Sequence, residues 1–264
     1  MPAPAIITLL SDFGTADAYV AAMKGVILGL APAARLVDVT HEIPPQDVFR
    51  GALVLREAAG SFPAGTVHLA VVDPGVGTAR EPILIDTPTA RFVGPNNGVL
   101  TLAAQPPLRV HQLTEPALRR EPASATFHGR DVFAPAAAYL ARGVPAAAFG
   151  PPLDDARLVR LALPRPRREG AVLCGEVIHV DRFGNLVTSI RAADLERAGS
   201  RLRIEAGGEV IMGLSRTYGE AAPGALLALI GSGGFLEVAV RDGSGAARLG
   251  LGRGAPVRVV GGGA

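Results

Sequence analysis

The apolar residues change their spacing partway along the chain, and that change limits the fold more than composition does. In the first half, short β-branched runs alternate with segments whose apolar residues recur at helical spacing. Residues 6–10 read as a buried strand. Tyr19, Met23, Val26, Ile27 and Leu30 then mark one helical face, and Pro32 ends that helix. Residues 36–39 form a second strand, Asp47 caps a helix over 48–59, and 67–72 form a third strand. Strand, helix, strand, helix, strand in this order demands parallel pairing with right-handed crossovers. Further strands are expected at 83–85, 91–93 and 110–112. A helix capped by Asp131 is expected to run through Tyr139 and Leu140 to Gly143.

Residues 151–168 are rich in Pro and Arg and carry no sustained period. They are expected to link an α/β domain over 1–150, with a mainly parallel sheet, to a smaller domain over 169–264. There the runs VLCGEVIHVD, NLVTSI, RLRIEA, EVIMG, LLALIGS, LEVAVRD and PVRVV alternate with glycine-containing turns, which indicates an antiparallel β-barrel or sandwich. The one helix expected among them lies at 192–198. With 264 residues and 48% hydrophobic content the chain can bury a sizeable core. Its net charge is only +2, and Lys24 is the sole lysine among 26 basic residues. The arginines are scattered apart from Arg165, Arg167 and Arg168, which excludes a nucleic-acid stripe. One cysteine, Cys174, excludes an internal disulfide framework, and no apolar run reaches membrane-spanning length. A cytoplasmic protein without signal peptide or membrane span is expected.

The stretch VVDPGVGTAR, residues 71–80, ends a strand at an Asp and closes on an Arg. A dinucleotide-binding loop needs a third glycine and a following helix, whereas Arg80 stands at the third position and Pro82 opens another strand. A plain type II turn at Pro74-Gly75 with two solvated charges is the bland alternative. Against it, Asp73 sits at the carboxyl end of a parallel strand, the edge where α/β sheets bind ligands, and Asp12 leaves the first strand at the same edge. His128, in TFHGRDVF, enters another helix of this half. His41, Glu42 and His68 lack metal-ligand spacing, so no metal is expected. No serine occupies a nucleophile elbow, and Cys174 lies in an apolar strand where an inert thiol is expected.

SDFG at 11–14, DVTHEIPPQDV at 38–48, VVDPGVGTAR, GPNNGVL at 94–100, FHGRDVF at 127–133 and HVDRFGNLVTSI at 179–190 together resemble one family. It is the S-adenosyl-L-methionine (SAM) hydroxide adenosyltransferases, relatives of the fluorinases and chlorinases. The resemblance runs from about residue 6 to the C-terminus and implies an α/β domain followed by a smaller β-barrel. It implies a homotrimer, with the substrate bound between one subunit's N-terminal domain and its neighbour's C-terminal domain. The reaction implied is hydrolysis of SAM to adenosine and methionine, without a cofactor. Asp73, Arg80 and His128 match the residues that hold and activate the water; Asp12 matches the carboxylate on the ribose hydroxyls, and Asp181 the one facing the methionine ammonium. Phe183 and Tyr218 fall where rings pack on the adenosyl group, Asn185 and Arg241 near the adenine edge, and Ser232 at the methionine carboxylate.

Gln46 and Gly233 depart from the fluorinase pattern, which has an aromatic and an Arg at those places. The halide enzymes carry an aromatic or small residue in the place of Asp73, and the fluorinase inserts a loop before its PNNG motif. An ionised Asp in the nucleophile's seat repels a halide and accepts a hydrogen bond from water, which favours hydrolysis. The alternatives are a halide-dependent adenosyl transferase and a protein that binds SAM or adenosine without turning it over.

Overall fold

The computed structural model describes residues 4–196 and 201–262. By its internal contacts the chain divides into two units, Met1–Ala162 and Leu163–Ala264. In the first, β1 (Ile6–Ser11), α1 (Tyr19–Leu30), β2 (Arg35–Thr40), α2 (Val48–Ala59) and β3 (Thr66–Val71) follow in the expected order. Next come β4 (Pro82–Asp86), β5 (Ala90–Pro95) and β6 (Arg109–Gln112). The sheet order is β2-β1-β3-β5-β4-β6. β2, β1, β3 and β5 run parallel, and β4 is antiparallel to both β5 and β6.

Successive residues of a strand point to opposite faces, and both faces of this sheet are buried. Ile7, Leu9, Val67 and Leu69 pack on one side with Met23 and Ile27 of α1 and with Phe133, whereas Leu10, Ala70 and Val72 pack on the other with Leu55 of α2. Asp47 caps α2 as expected, its side chain accepting from Arg50 N.

Asp131 does not cap a helix. A π-helical turn over Gly129–Phe133 leads directly into α3 (Ala134–Ala141), so the helical path starts at His128 and places Asp131 inside it. Its carboxylate, 1% exposed, accepts from Arg130 Nε and Nη2 at 2.7 Å each and reaches back to Ser124 N at 2.9 Å. Of the Pro/Arg-rich stretch, Leu153 and Leu158 lie in the core of the first unit, and Pro152 bridges to His111.

The second unit holds β7 (Arg167–Glu169), β8 (Val172–Val180), β9 (Leu186–Arg191), α4 (Ala192–Leu195), β10 (Arg201–Ala206) and β11 (Glu209–Met212). It continues with β12 (Leu226–Ile230), β13 (Phe235–Val240), α5 (Gly245–Leu249) and β14 (Pro256–Gly262). Its order is β11-β10-β14-β8-β9-β13-β12, with β7 on β8 and every neighbouring pair antiparallel. The two ends of the sheet approach each other where Ser215, just past β11, bridges to Leu229 of β12, which makes the sheet a nearly closed barrel. Leu173, Val177, Leu186, Ile204, Leu236, Val238 and Val257 fill its interior. The helix expected at 192–198 occupies Ala192–Leu195; residues 197 and 198 lie outside the described residues. The short α5 has no counterpart among the expected elements, because five residues carry too little periodicity; Ser244 caps it by accepting from Ala247 N.

Candidate active site

β1 and β3 are neighbours whose register pairs Ser11 with Val71, so Asp12 and Asp73 leave the sheet at one edge. The Asn97 side chain donates to Val72 O at 2.8 Å and ties the PNNG loop to the strand end that carries Asp73. The Pro74-Gly75 turn forms, with Asp73 O accepting from Val76 N at 3.3 Å, but it is not type II: the left-handed residue is Gly77, at φ 78°, and not Gly75. A Cβ on Gly77 would stand 2.7 Å from Ala125 O. Glycine is therefore what lets this turn close on the backbone that leads to His128.

Across the turn Arg80 grips Asp73 in a two-pronged pair: Nε donates to Oδ1 at 3.1 Å and Nη2 to Oδ2. The two side chains are only 7% and 5% exposed. Arg80 Nη2 also donates to His128 Nδ1 at 3.1 Å, and its guanidinium carbon lies 5.3 Å from the centre of the Phe133 ring. Asp73, Arg80 and His128 are thus brought into one contact group. A guanidinium has no acceptor, so His128 Nδ1 is the bare nitrogen and Nε2 carries the proton. Burial, and then the adjacent Arg80 charge, hold the His128 pKa below the ordinary imidazole value, against the pull of Asp73 and Asp131. One donor of the group, Arg80 Nη1, is buried without a hydrogen-bond partner. A buried unpaired N–H is costly, and it is available to a ligand oxygen.

Asp12 stands outside this contact group. Its Oδ2 accepts from Gln46 N at 2.8 Å, and Gln46 holds a left-handed conformation, φ 68°. Gly14 N donates to His41 O at 2.8 Å, which clamps the same loop to the first strand's turn. Beneath it, Ser11 Oγ meets His41 Nδ1 at 2.7 Å, His41 Nε2 meets Asp38 at 3.1 Å, and Asp38 pairs with Lys24 at 2.6 Å. His41 is therefore a buried member of a hydrogen-bond chain. Among the described residues no group of three His, Cys, Asp or Glu is arranged to hold a metal.

In the barrel unit, a cavity of about 420 Å³ lined by Arg165, Arg167, Cys174 and Arg258 contains none of the expected substrate residues. Another, of about 890 Å³, gathers Asp181, Phe183, Asn185, Tyr218, Ser232 and Arg241. Asp181 shapes its rim: Oδ1 accepts from Phe183 N and Asn185 N, both at 2.8 Å, and Oδ2 from Asn185 Nδ2 at 2.9 Å. That turn projects the Phe183 ring outward, 76% exposed. Arg241 Nη1 donates to Gly219 O at 3.0 Å and Ala221 O at 2.7 Å. Glu237 also lines this cavity, accepting from Tyr218 OH at 2.8 Å. Sequence reasoning missed it, because an acid alternating with apolar residues in LEVAV looks like the solvated face of a strand. Burial is the main reason the Tyr218 hydroxyl is pushed up to about 12.

Comparison with known proteins places these groups in context. The model of the SAM hydroxide adenosyltransferase N-terminal domain matches residues 7–150, and that of the C-terminal domain residues 175–258. A Thermus thermophilus protein named (R)-S-adenosyl-L-methionine hydrolase is 45% identical, over 96% of this chain and 99% of its own. A Thermotoga maritima protein of known crystal structure, described as an uncharacterized conserved protein, superposes with a TM-score of 0.88 at 34% identity, covering 96% of this chain and 99% of its own. A fluorinase from Actinoplanes sp. is more distant, 32% identical over 74% of each chain. The chain belongs to the SAM hydroxide adenosyltransferase family.

Proposed function

We propose that this protein is an enzyme that hydrolyses S-adenosyl-L-methionine to adenosine and L-methionine, by in-line attack of a water or hydroxide on the ribose 5′ carbon. The observation that carries this reading is the buried Asp73–Arg80 pair in contact with the half-buried His128, with its uncommitted Arg80 Nη1 donor, on a chain 45% identical to a protein named for that hydrolysis. As the C–O bond forms, the C–S bond breaks, and its electron pair leaves with sulfur as the neutral thioether of methionine. One water proton is lost. The sulfonium departs without protonation, so the reaction calls on no cofactor or metal, and orienting the oxygen is the main task.

In this mechanism Asp73 and Arg80 hold the water. His128 relays its proton. The only free lone pair of the imidazole is Nδ1, which Arg80 occupies, so uptake of a proton requires that hydrogen bond to open. His128→Asn keeps an acceptor for Arg80 but removes the base; an unchanged rate and pH profile would sink the relay. Asp12 takes the ribose hydroxyls, Phe183 and Tyr218 flank the adenosyl group, and Asn185 and Arg241 reach the adenine edge. Ser232 meets the methionine carboxylate. We place the complete site between the α/β unit of one subunit and the barrel of its neighbour in a homotrimer. Light scattering tests that with a mass near three times 27.0 kDa.

An ionised Asp73 disfavours a halide nucleophile. The deciding experiment is turnover of SAM in oxygen-18 water, with chloride and fluoride in parallel samples. Label in the 5′ hydroxyl of adenosine supports hydrolysis. Halogenated product, or binding without any product, refutes it.

A further inference from the structure

In the barrel cavity the two carboxylates best placed to meet a ligand are committed to different degrees. Asp181 accepts three N–H donors of its own turn, from Phe183 N, Asn185 N and Asn185 Nδ2. Glu237 accepts from a single hydroxyl, Tyr218 OH, at Oε2. Its place is set by the strand: Leu236 and Val238 point into the barrel core, so Glu237 between them points outward. Neighbouring strands set Leu229 and Val187 opposite it. A Cβ on Gly231 would lie 1.7 Å from Glu237 Oε1, so the carboxylate lies directly over a glycine of the β12–β13 turn. Desolvation raises the Glu237 pKa, and the Asp181 charge adds to this while the Tyr218 hydrogen bond opposes it.

Among the described residues no ion pair joins either acid to a base. Arg241, the one basic residue lining the cavity among them, spends its Nη1 on two backbone carbonyls and lies 3.5 Å from Asp242. The cavity therefore holds Asp181, Glu237 and Asp242 against one arginine, an excess of negative charge. A half-buried carboxylate anchored at one oxygen and lacking a cation is completed by a positively charged donor.

We infer that Glu237 is a further specificity-determining residue, a second carboxylate that grips the α-ammonium of the aminoacyl chain beside Asp181, which also holds the turn that shapes the rim. This rests on the proposed substrate. Tyr218, by donating to Oε2, is a positioning residue for Glu237.

The test uses the full-length protein and three ligands. SAM and S-adenosyl-L-homocysteine carry the ammonium; adenosine lacks it. Glu237→Gln removes one charge-assisted hydrogen bond, and is expected to raise KM for SAM about tenfold and Kd for S-adenosyl-L-homocysteine by a similar factor. Kd for adenosine changes less than twofold, which also shows that the variant folds. Tyr218→Phe keeps the ring and weakens S-adenosyl-L-homocysteine about threefold. Asp181→Asn takes away the other carboxylate and disturbs the turn, and weakens all three ligands, adenosine included. Two results overturn the inference: Glu237→Gln binding S-adenosyl-L-homocysteine as the unmodified protein does, or losing adenosine to the same degree. If the unmodified protein binds these ligands but forms no adenosine from SAM, the hydrolase reading fails, and the Kd comparison still judges Glu237.

Discussion

Replacing Asp73 by Asn separates the structural and chemical work of the Asp73–Arg80 pair. The partners are 5% and 7% exposed and bonded through two atoms each, so the single substitution leaves a buried guanidinium facing an amide that also donates. Losing one partner of such a buried pair costs about 3–5 kcal/mol, because the remaining charge stays desolvated. A neutral pair of similar shape removes that penalty, so Asp73→Asn combined with Arg80→Gln is expected to regain at least half of the loss. Activity follows a different course. Water that loses its carboxylate, its guanidinium or both is misplaced, and adenosine formation is expected to fall about 100-fold or more in Asp73→Asn, in Arg80→Gln and in the double variant. Urea unfolding at one fixed protein concentration reads the first effect, and chromatographic assay of adenosine the second. Asp73→Asn within about 1 kcal/mol of the unmodified protein would refute the buried-pair argument. A double variant retaining a tenth of the rate would refute the placing of the water.

Three further outcomes test other parts of the structure. Gly77→Ala meets Ala125 O at 2.7 Å and must also hold φ 78°, so it is expected to lower activity by moving the backbone that carries His128 while the second unit melts unchanged. His68 is buried beside Thr8 Oγ1, and burial holds its pKa down at about 4 against 6.5 for an exposed histidine. Between those values the unfolded chain binds the extra proton, so stability is lost as pH falls through this window. Unfolding measured at pH 7 and pH 5 is expected to differ by about 2 kcal/mol from this residue, and His68→Asn removes that share. Glu237, raised by burial with Asp181 and Tyr218 as the titratable groups facing it, must ionise to take a cation. KM for SAM is therefore expected to climb on acidification above the ordinary glutamate range, and a flat KM in Glu237→Gln checks the source.

Local periodicity made most of the first unit legible, because buried strands and amphipathic helices repeat on scales that neighbouring residues define. Asp47 stands before an apolar helix and caps it; Asp12 and Asp73 end strands and stand at one sheet edge. Asp131 shows where the local rule stops. It precedes an apolar run as a cap residue does, yet a π-helical turn begins upstream of it and its carboxylate turns back to Ser124.

Alone, the sequence determined the order and type of most elements, the two units' contrasting periods, and which polar residues end strands. Tertiary structure decided the rest. It inserted β5 between β3 and β4, brought His128 to Arg80 across a separation of 48 residues, and turned a strand acid, Glu237, into a half-buried wall of a cavity. The physical reason is range: side-chain spacing reports which face of an element is apolar, but contacts between distant segments set what covers that face and which charges are left unpaired.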